Sequence, residues 1–199
     1  MNNKGVDKSK RQFLTSALTV VGAVGTGYLA VPFLAQMQPS VKAMAAGAPV
    51  EVDIGKMELG QLLRVAWRGK PVWILKRTPE VLATLKTLDN ELRDPLSEES
   101  IQPEYSKNLY RSLKPEIFVA IGICTHLGCS PTFRPEIAPV DLGDKWKGGF
   151  FCPCHGSWFD LAGRVYRGVP APTNLEIPPY RYVTENQLII GEPSQGASA

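Results

Sequence analysis

All four cysteines and both histidines of this 199-residue chain fall in two short clusters, Cys124-Thr-His126-Leu-Gly-Cys129 and Cys152-Pro-Cys154-His155-Gly-Ser157. A chain that concentrates every thiol and imidazole in two places is building one metal site, and its fold must bring those two segments together.

The spacing narrows the metal. Six candidate donors exceed the four that a tetrahedral zinc uses, and neither cluster has the C-x2-C or H-x3-5-H zinc pattern. Structural disulfides alone would account for four cysteines outside the cytosol, but not for an imidazole paired with thiols in each cluster. A 2Fe-2S group with two Cys on one iron and two His on the other needs one Cys and one His from each segment. One cysteine per segment is then spare, and a spare pair can form a disulfide joining the segments.

C-T-H-L-G-C followed by C-P-C-H-G-S resembles the two cluster-binding loops of Rieske iron-sulfur proteins, and more closely those of the Rieske subunits of cytochrome bc1 complexes. Carried over by position, the resemblance implies Cys124, His126, Cys152 and His155 as iron ligands and Cys129 with Cys154 as the disulfide. It also implies that the Ser157 hydroxyl bonds a bridging sulfide. Gly128 and Gly156 permit close backbone approach, so that backbone N–H groups can point at the sulfides. Such hydrogen bonds stabilise the more negative, reduced cluster and raise its potential. Many relatives carry Tyr two positions after this Ser, donating to a ligand sulfur; here the residue is Phe159, which cannot donate. Gly168-Val-Pro170-Ala-Pro172-Thr-Asn-Leu175 resembles the proline loop that covers the cluster, and its fixed dihedrals suit a lid. Leu127 matches the exposed apolar residue beside the first His, which helps dock the tip.

The strongest compositional break is N-terminal. No charged residue occurs from Gln12 to Val41. Phe13 to Leu34, about 22 residues at 1.5 Å each, is long enough to cross ~30 Å of hydrocarbon. Lys4, Lys8, Lys10 and Arg11 precede it against a lone Asp7, which by the positive-inside bias puts the N-terminus in the cytoplasm and the rest beyond the membrane. Ser9-Lys10-Arg11-Gln12-Phe13-Leu14 resembles a twin-arginine export signal with Lys for the first Arg. That route suits a passenger folded around its cluster in the cytoplasm. Ala43-Met44-Ala45 offers a cleavage site, but the apolar run is longer than a secretory h-region, so an uncleaved anchor is expected. The expected division is 1–12 as cytoplasmic N-terminus, 13–37 as transmembrane anchor, 38–49 as a flexible Pro- and Ala-rich hinge, and 50–199 as the 2Fe-2S domain, with a cluster-binding subdomain over about 122–175.

The head reads as mostly β. Short runs of strand-forming residues occupy 71–76, 116–123, 147–151, 164–166 and 187–191, bounded by Gly, Pro, Asp or Asn. Thr78-Pro79-Glu80 opens a helix whose apolar positions Val81, Leu82, Leu85 and Leu88 recur at helical spacing. Residues 90–115 read as a polar excursion without clear chemistry. The expected fold is a Rieske-type antiparallel β-sandwich or barrel head on a single N-terminal transmembrane helix.

A formal net charge of +3, without a basic stripe interleaved with aromatics, gives no argument for nucleic acid. The resemblance implies an electron-transfer subunit of a quinol–cytochrome c oxidoreductase in a bacterial inner membrane, its head periplasmic. It would be active only within a dimeric multi-subunit complex with cytochrome b and cytochrome c1. His155 is the residue expected to accept the ubiquinol hydrogen bond and proton, with His126 as the alternative. A Rieske ferredoxin-like carrier would hold the same ligands but usually lacks the spare cysteine pair and an anchor. An arsenite-oxidase-type small subunit is expected to be a soluble partner of a molybdenum subunit.

Overall fold

The computed structural model of the chain describes residue 5 and residues 7–192; Lys4 of the basic N-terminal run and positions 193–199 of the expected head domain lie outside them. The chain divides into two units, residues 1–45 and 46–199.

The first unit is built on helix α1, Lys8–Gln36. Asp7 caps it, its carboxylate accepting from the N–H groups of Ser9 and Lys10, which satisfies donors that a first helical turn leaves open. No residue of α1 is buried. Its large apolar side chains stand exposed all round, among them Phe13, Leu18, Tyr28 and Phe33, the pattern of a helix whose solvent is lipid. Two of the hydroxyls that would be costly there bond the helix itself, Thr15 to the Arg11 carbonyl at 2.7 Å and Thr19 to the Thr15 carbonyl at 2.8 Å. The helix is long and apolar enough to cross a membrane. The segment 38–49, expected to be a flexible hinge, contains a short helix, α2, Val41–Ala46. Ser40 starts it by accepting from the Ala43 N–H at 3.1 Å, and its Ala-rich composition favours the helical state.

Among its described residues the second unit is mostly β, with three antiparallel three-stranded sheets. β2 (Leu62–Trp67), β3 (Lys70–Lys76) and β4 (Ile117–Ile121) form one sheet in that order; β1 (Val50–Asp53), β9 (Gln187–Ile190) and β8 (Tyr180–Thr184) form another; β5 (Thr132–Ile137), β6 (Lys147–Cys152) and β7 (Ser157–Phe159) form the third. Arg68 and Gly69, both at positive φ, make the two-residue turn between β2 and β3. β4 is buried along its whole length and β3 over Val72–Leu75, so both read as continuous apolar runs rather than as alternation.

The β2–β3–β4 and β5–β6–β7 sheets meet through aromatics. Trp73 of β3 stacks on Phe150 of β6 with ring centroids 4.7 Å apart, and Phe118 and Phe133 flank Phe150. Helix α3, Pro79–Leu85, starts at the Thr78 cap but ends before Leu88, which is buried with Leu92 and Tyr166 in a separate small cluster. The strand expected over 164–166 is reduced to isolated bridges, Val165 opposite Phe159 and Tyr166 opposite Leu92, because the N–H groups of Arg164 and Val165 go to the Asp160 and Asn174 side chains instead of to a ladder.

Candidate metal centre

Two strands deliver the two cysteine–histidine segments. β4 runs into Gly122, Ile123 and Cys124, and β6 ends on Cys152. A methyl group on Gly122 would collide with the Trp73 indole, so the chain passes under that ring only without a side chain. Each segment then makes the same turn. The Gly128 N–H donates to the Cys124 carbonyl at 3.1 Å and the Gly156 N–H to the Cys152 carbonyl at 2.9 Å. Both glycines have positive φ, 85° and 73°. This is the αL closure that ends helices, used here on a single turn. The glycines' own N–H groups are committed to the cysteine carbonyls, and the left-handed backbone of each turn favours glycine there.

Cys129 and Cys154 form a disulfide that ties one turn to the other. Cys124 and Cys152 are free thiols, each 2% exposed. The sulfurs of Cys129, Cys152 and Cys154 lie within 4.8 Å of one another, but two of them are spent in the disulfide, so that trio is no ligand set. The His126 and His155 rings meet edge to face with centroids 4.7 Å apart. His126 Nδ1 is buried without a hydrogen-bond partner, whereas His155 is exposed. Burial, first, raises the Cys124 thiol above its usual range, and neighbouring Cys152 adds to the rise. The His126 N–H and the Ser157 hydroxyl, hydrogen-bonded to the sulfur, oppose it. An orphaned, buried imidazole nitrogen is a costly arrangement for a metal-free protein. With two buried free thiols it is the donor chemistry that a Rieske 2Fe-2S cluster takes, and the residues present fit that group.

Around these donors the other sequence-identified residues take definite places. Ser157 is fully buried and its Oγ accepts the Ala171 N–H at 3.0 Å. Phe159 is fully buried opposite Phe150. Leu127 stands 71% exposed beside His126. In the proline loop, Gly168 has φ 76°, Pro170 and Pro172 face outward, and Ala171 between them is buried.

Several residues were missed. Thr125, between the first Cys and His, donates its hydroxyl to the Thr173 carbonyl at 2.7 Å and so pins the lid to the first turn. Asp160 and Arg164 form a buried ion pair. The supposedly featureless segment 90–115 supplies buried Asp94, Ser97, Ser100, Ser106, Arg111 and Ser112. Arg111 donates to the carbonyls of Ala162, Gly163 and Leu175, and Asn174 bonds the 94–100 stretch. The signal was present as Asp94-Pro-Leu-Ser97-Glu-Glu-Ser100, a run of short polar side chains that bond nearby backbone.

Residues 94–180 match the family described as Rieske [2Fe-2S] domain, and residues 1–40 the family described as Ubiquitinol-cytochrome C reductase Fe-S subunit TAT signal. The chain is 62% identical over 192 residues to the ubiquinol-cytochrome c reductase iron-sulfur subunit of Allochromatium vinosum, covering 96% of this chain and 93% of that protein. It is 42% identical over 186 residues to the subunit of the same name from Blastochloris viridis, covering 93% and 94%. Among solved structures, a chain of a hyperthermophilic respiratory Complex III is similar at 28% identity with a TM-score of 0.46, over 89% of this chain and 98% of that one.

Proposed function

Because the chain belongs to the family of ubiquinol-cytochrome c reductase iron-sulfur subunits, we propose that Cys124 and Cys152 hold one iron of its 2Fe-2S cluster and His126 and His155 the other, and that ubiquinol is oxidised at the His155 side. The observation that carries this reading is the convergence of two buried free thiols and the unpartnered Nδ1 of His126 from two turns locked by one disulfide. Imidazole ligation supplies a one-electron acceptor in the range of roughly −150 to +300 mV, against about −400 mV for plant-type ferredoxins.

The chain's residues do the rest. Exposed His155 would accept the hydrogen bond of the quinol hydroxyl, and then its proton, on the ring nitrogen not used as a ligand, while the bound cluster would supply the one-electron acceptor. His126 is the less accessible of the two, which favours His155 for this contact. Leu127 gives the tip an apolar contact for the quinol-binding partner. Ser157 tunes the potential from the buried side. The natural partners are cytochrome b, which presents quinol, and cytochrome c1, which receives the electron, in a dimeric complex; the chain turns over quinol only as part of it. Lys8, Lys10 and Arg11 ahead of the span support a cytoplasmic N-terminus and a periplasmic head. The twin-arginine-like signal supports export of the folded head.

The test is a redox titration of the membrane-embedded protein followed by electron paramagnetic resonance. A rhombic Rieske-type signal with a positive midpoint that falls as pH rises is expected. A low, pH-independent midpoint would make the chain a ferredoxin-like carrier, and absence of an iron signal in fully metallated protein would remove the ligand set.

A further inference from the structure

Resting on that ligand set, we propose that Asn174 is a positioning residue for the metal centre: gripped by residues 94–100, it sets the lid, and the lid's Ala171 N–H sets the direction in which the Ser157 hydroxyl donates. A hydroxyl carries one proton and accepts through its lone pairs. Ser157 Oγ already accepts the Ala171 N–H at 3.0 Å, so its own O–H is turned away from the lid. That leaves its proton for the metal centre, where Ser157 adjoins Cys124.

The lid is stiff between Pro170 and Pro172, so its placement is decided where it is anchored. At one end Asn174, 1% exposed, has both its side-chain amide and its backbone N–H occupied. Its Oδ1 accepts the Val165 N–H at 2.8 Å, its Nδ2 donates to the Asp94 carbonyl at 2.9 Å and to Ser97 Oγ at 3.0 Å, and its N–H donates to Ser100 Oγ at 3.1 Å. Ser100 in turn donates to the Asp94 carboxylate at 2.6 Å, and that carboxylate also accepts the N–H groups of Glu98 and Glu99. Ser97 is held at φ 58°, in the left-handed region, to complete this knot. Arg93, one residue earlier, reaches the lid's outer carbonyls, Val169 at 3.3 Å and Pro172 at 3.4 Å. The segment 93–100 thus grips the lid on both sides of Ala171 while touching none of the proposed ligands through these bonds.

Asn174→Ala in the full chain, within its membrane complex, tests this by redox titration. A lowered midpoint at unchanged cluster content is expected, together with no further lowering when Asn174→Ala is added to Ser157→Ala. An unchanged midpoint at full cluster content, or the same drop in the Ser157→Ala background, would overturn the route. If Asn174→Ala assembles no cluster, Arg93→Ala, on the exposed side of the lid, decides in the same two ways, with a smaller drop expected. A wild-type protein without a Rieske-type signal would remove the ligand set itself, a failure distinct from the positioning of Ser157.

Discussion

Arg164 and Asp160 form an ion pair closed to solvent on both sides, Nε to Oδ2 at 2.7 Å with neither side chain exposed. Asp160 also accepts the N–H groups of Ala162 and Arg164, shaping the turn that leaves β7. Arg164 donates onward to the Leu85 carbonyl at the end of α3 and to Asp89. The pair therefore joins the cluster-bearing hairpin to the helical side of the head.

Removing one member strands the other. Asp160→Asn leaves the buried guanidinium with only the half-exposed Asp89 as counter-charge, and a loss of about 3 kcal/mol is expected, the range for breaking a buried pair. Denaturant unfolding of the detergent-solubilised chain measures it. A loss below ~1 kcal/mol would mean that the Leu85 carbonyl and Asp89 suffice for Arg164.

The disulfide acts on a different quantity. It closes a separation of 25 residues between the two turns, and cross-links of that size contribute about 3 kcal/mol by restricting the unfolded chain. Cys129→Ala with Cys154→Ala is expected to lower stability by that order and to speed loss of the cluster's visible absorbance on dilution. Unchanged cluster lifetime would show that the glycine turns hold the ligands unaided.

How far these features could be read in the sequence differs by residue. The two turns were legible because Cys, His and Gly at fixed offsets are rarely there for other reasons, and β3, β4 and β9 because apolar β-branched runs advertise themselves. Strands β1, β2, β5, β7 and β8 were not: Arg64, Arg134 and Arg181 interrupt three of them, and Ser157–Phe159 is only three residues long. Asn174, Asp94 and Arg111 act through partners far away in the chain, Asn174 on Asp94 and Arg111 on Ala162 and Leu175. Local pattern carries no such pairing.

Alkaline pH should unfold the head. Burial raises Tyr105 to about 12, against an opposing hydrogen bond to the Tyr180 backbone. Burial likewise raises Tyr166, Tyr180 and Tyr182. Above their ordinary value of 10 the unfolded chain sheds phenol protons that the folded chain keeps, so stability present in full below pH 10 is lost as pH rises through 12. Arg77 and Arg111, lowered by burial to about 10, act in the opposite sense above pH 10 and offset part of the loss. With four tyrosines against two arginines, a net fall is expected in urea midpoints measured from pH 8 to 12. Tyr166→Phe should make it shallower and leave stability below pH 10 unchanged or about 1 kcal/mol higher, since the Tyr166 hydroxyl is buried without a partner.

Phe159 provides the sharpest test of how this chain tunes its centre. It is fully buried between the cluster hairpin and the core, in register with Phe150 and two residues beyond Ser157. A phenyl ring there packs but donates nothing, so one hydrogen bond that a tyrosine could give to a ligand sulfur is missing. A donor to sulfur favours the reduced, more negative state and raises the potential. Phe159→Tyr is therefore expected to raise the midpoint while thermal stability stays within about 1 kcal/mol, because the added hydroxyl gains a partner. If the hydroxyl finds none, the opposite pattern follows: an unmoved midpoint and a loss of about 1–3 kcal/mol from a buried, unsatisfied polar group. The two measurements together decide whether the low donor count at this position is a tuning device or only a packing choice.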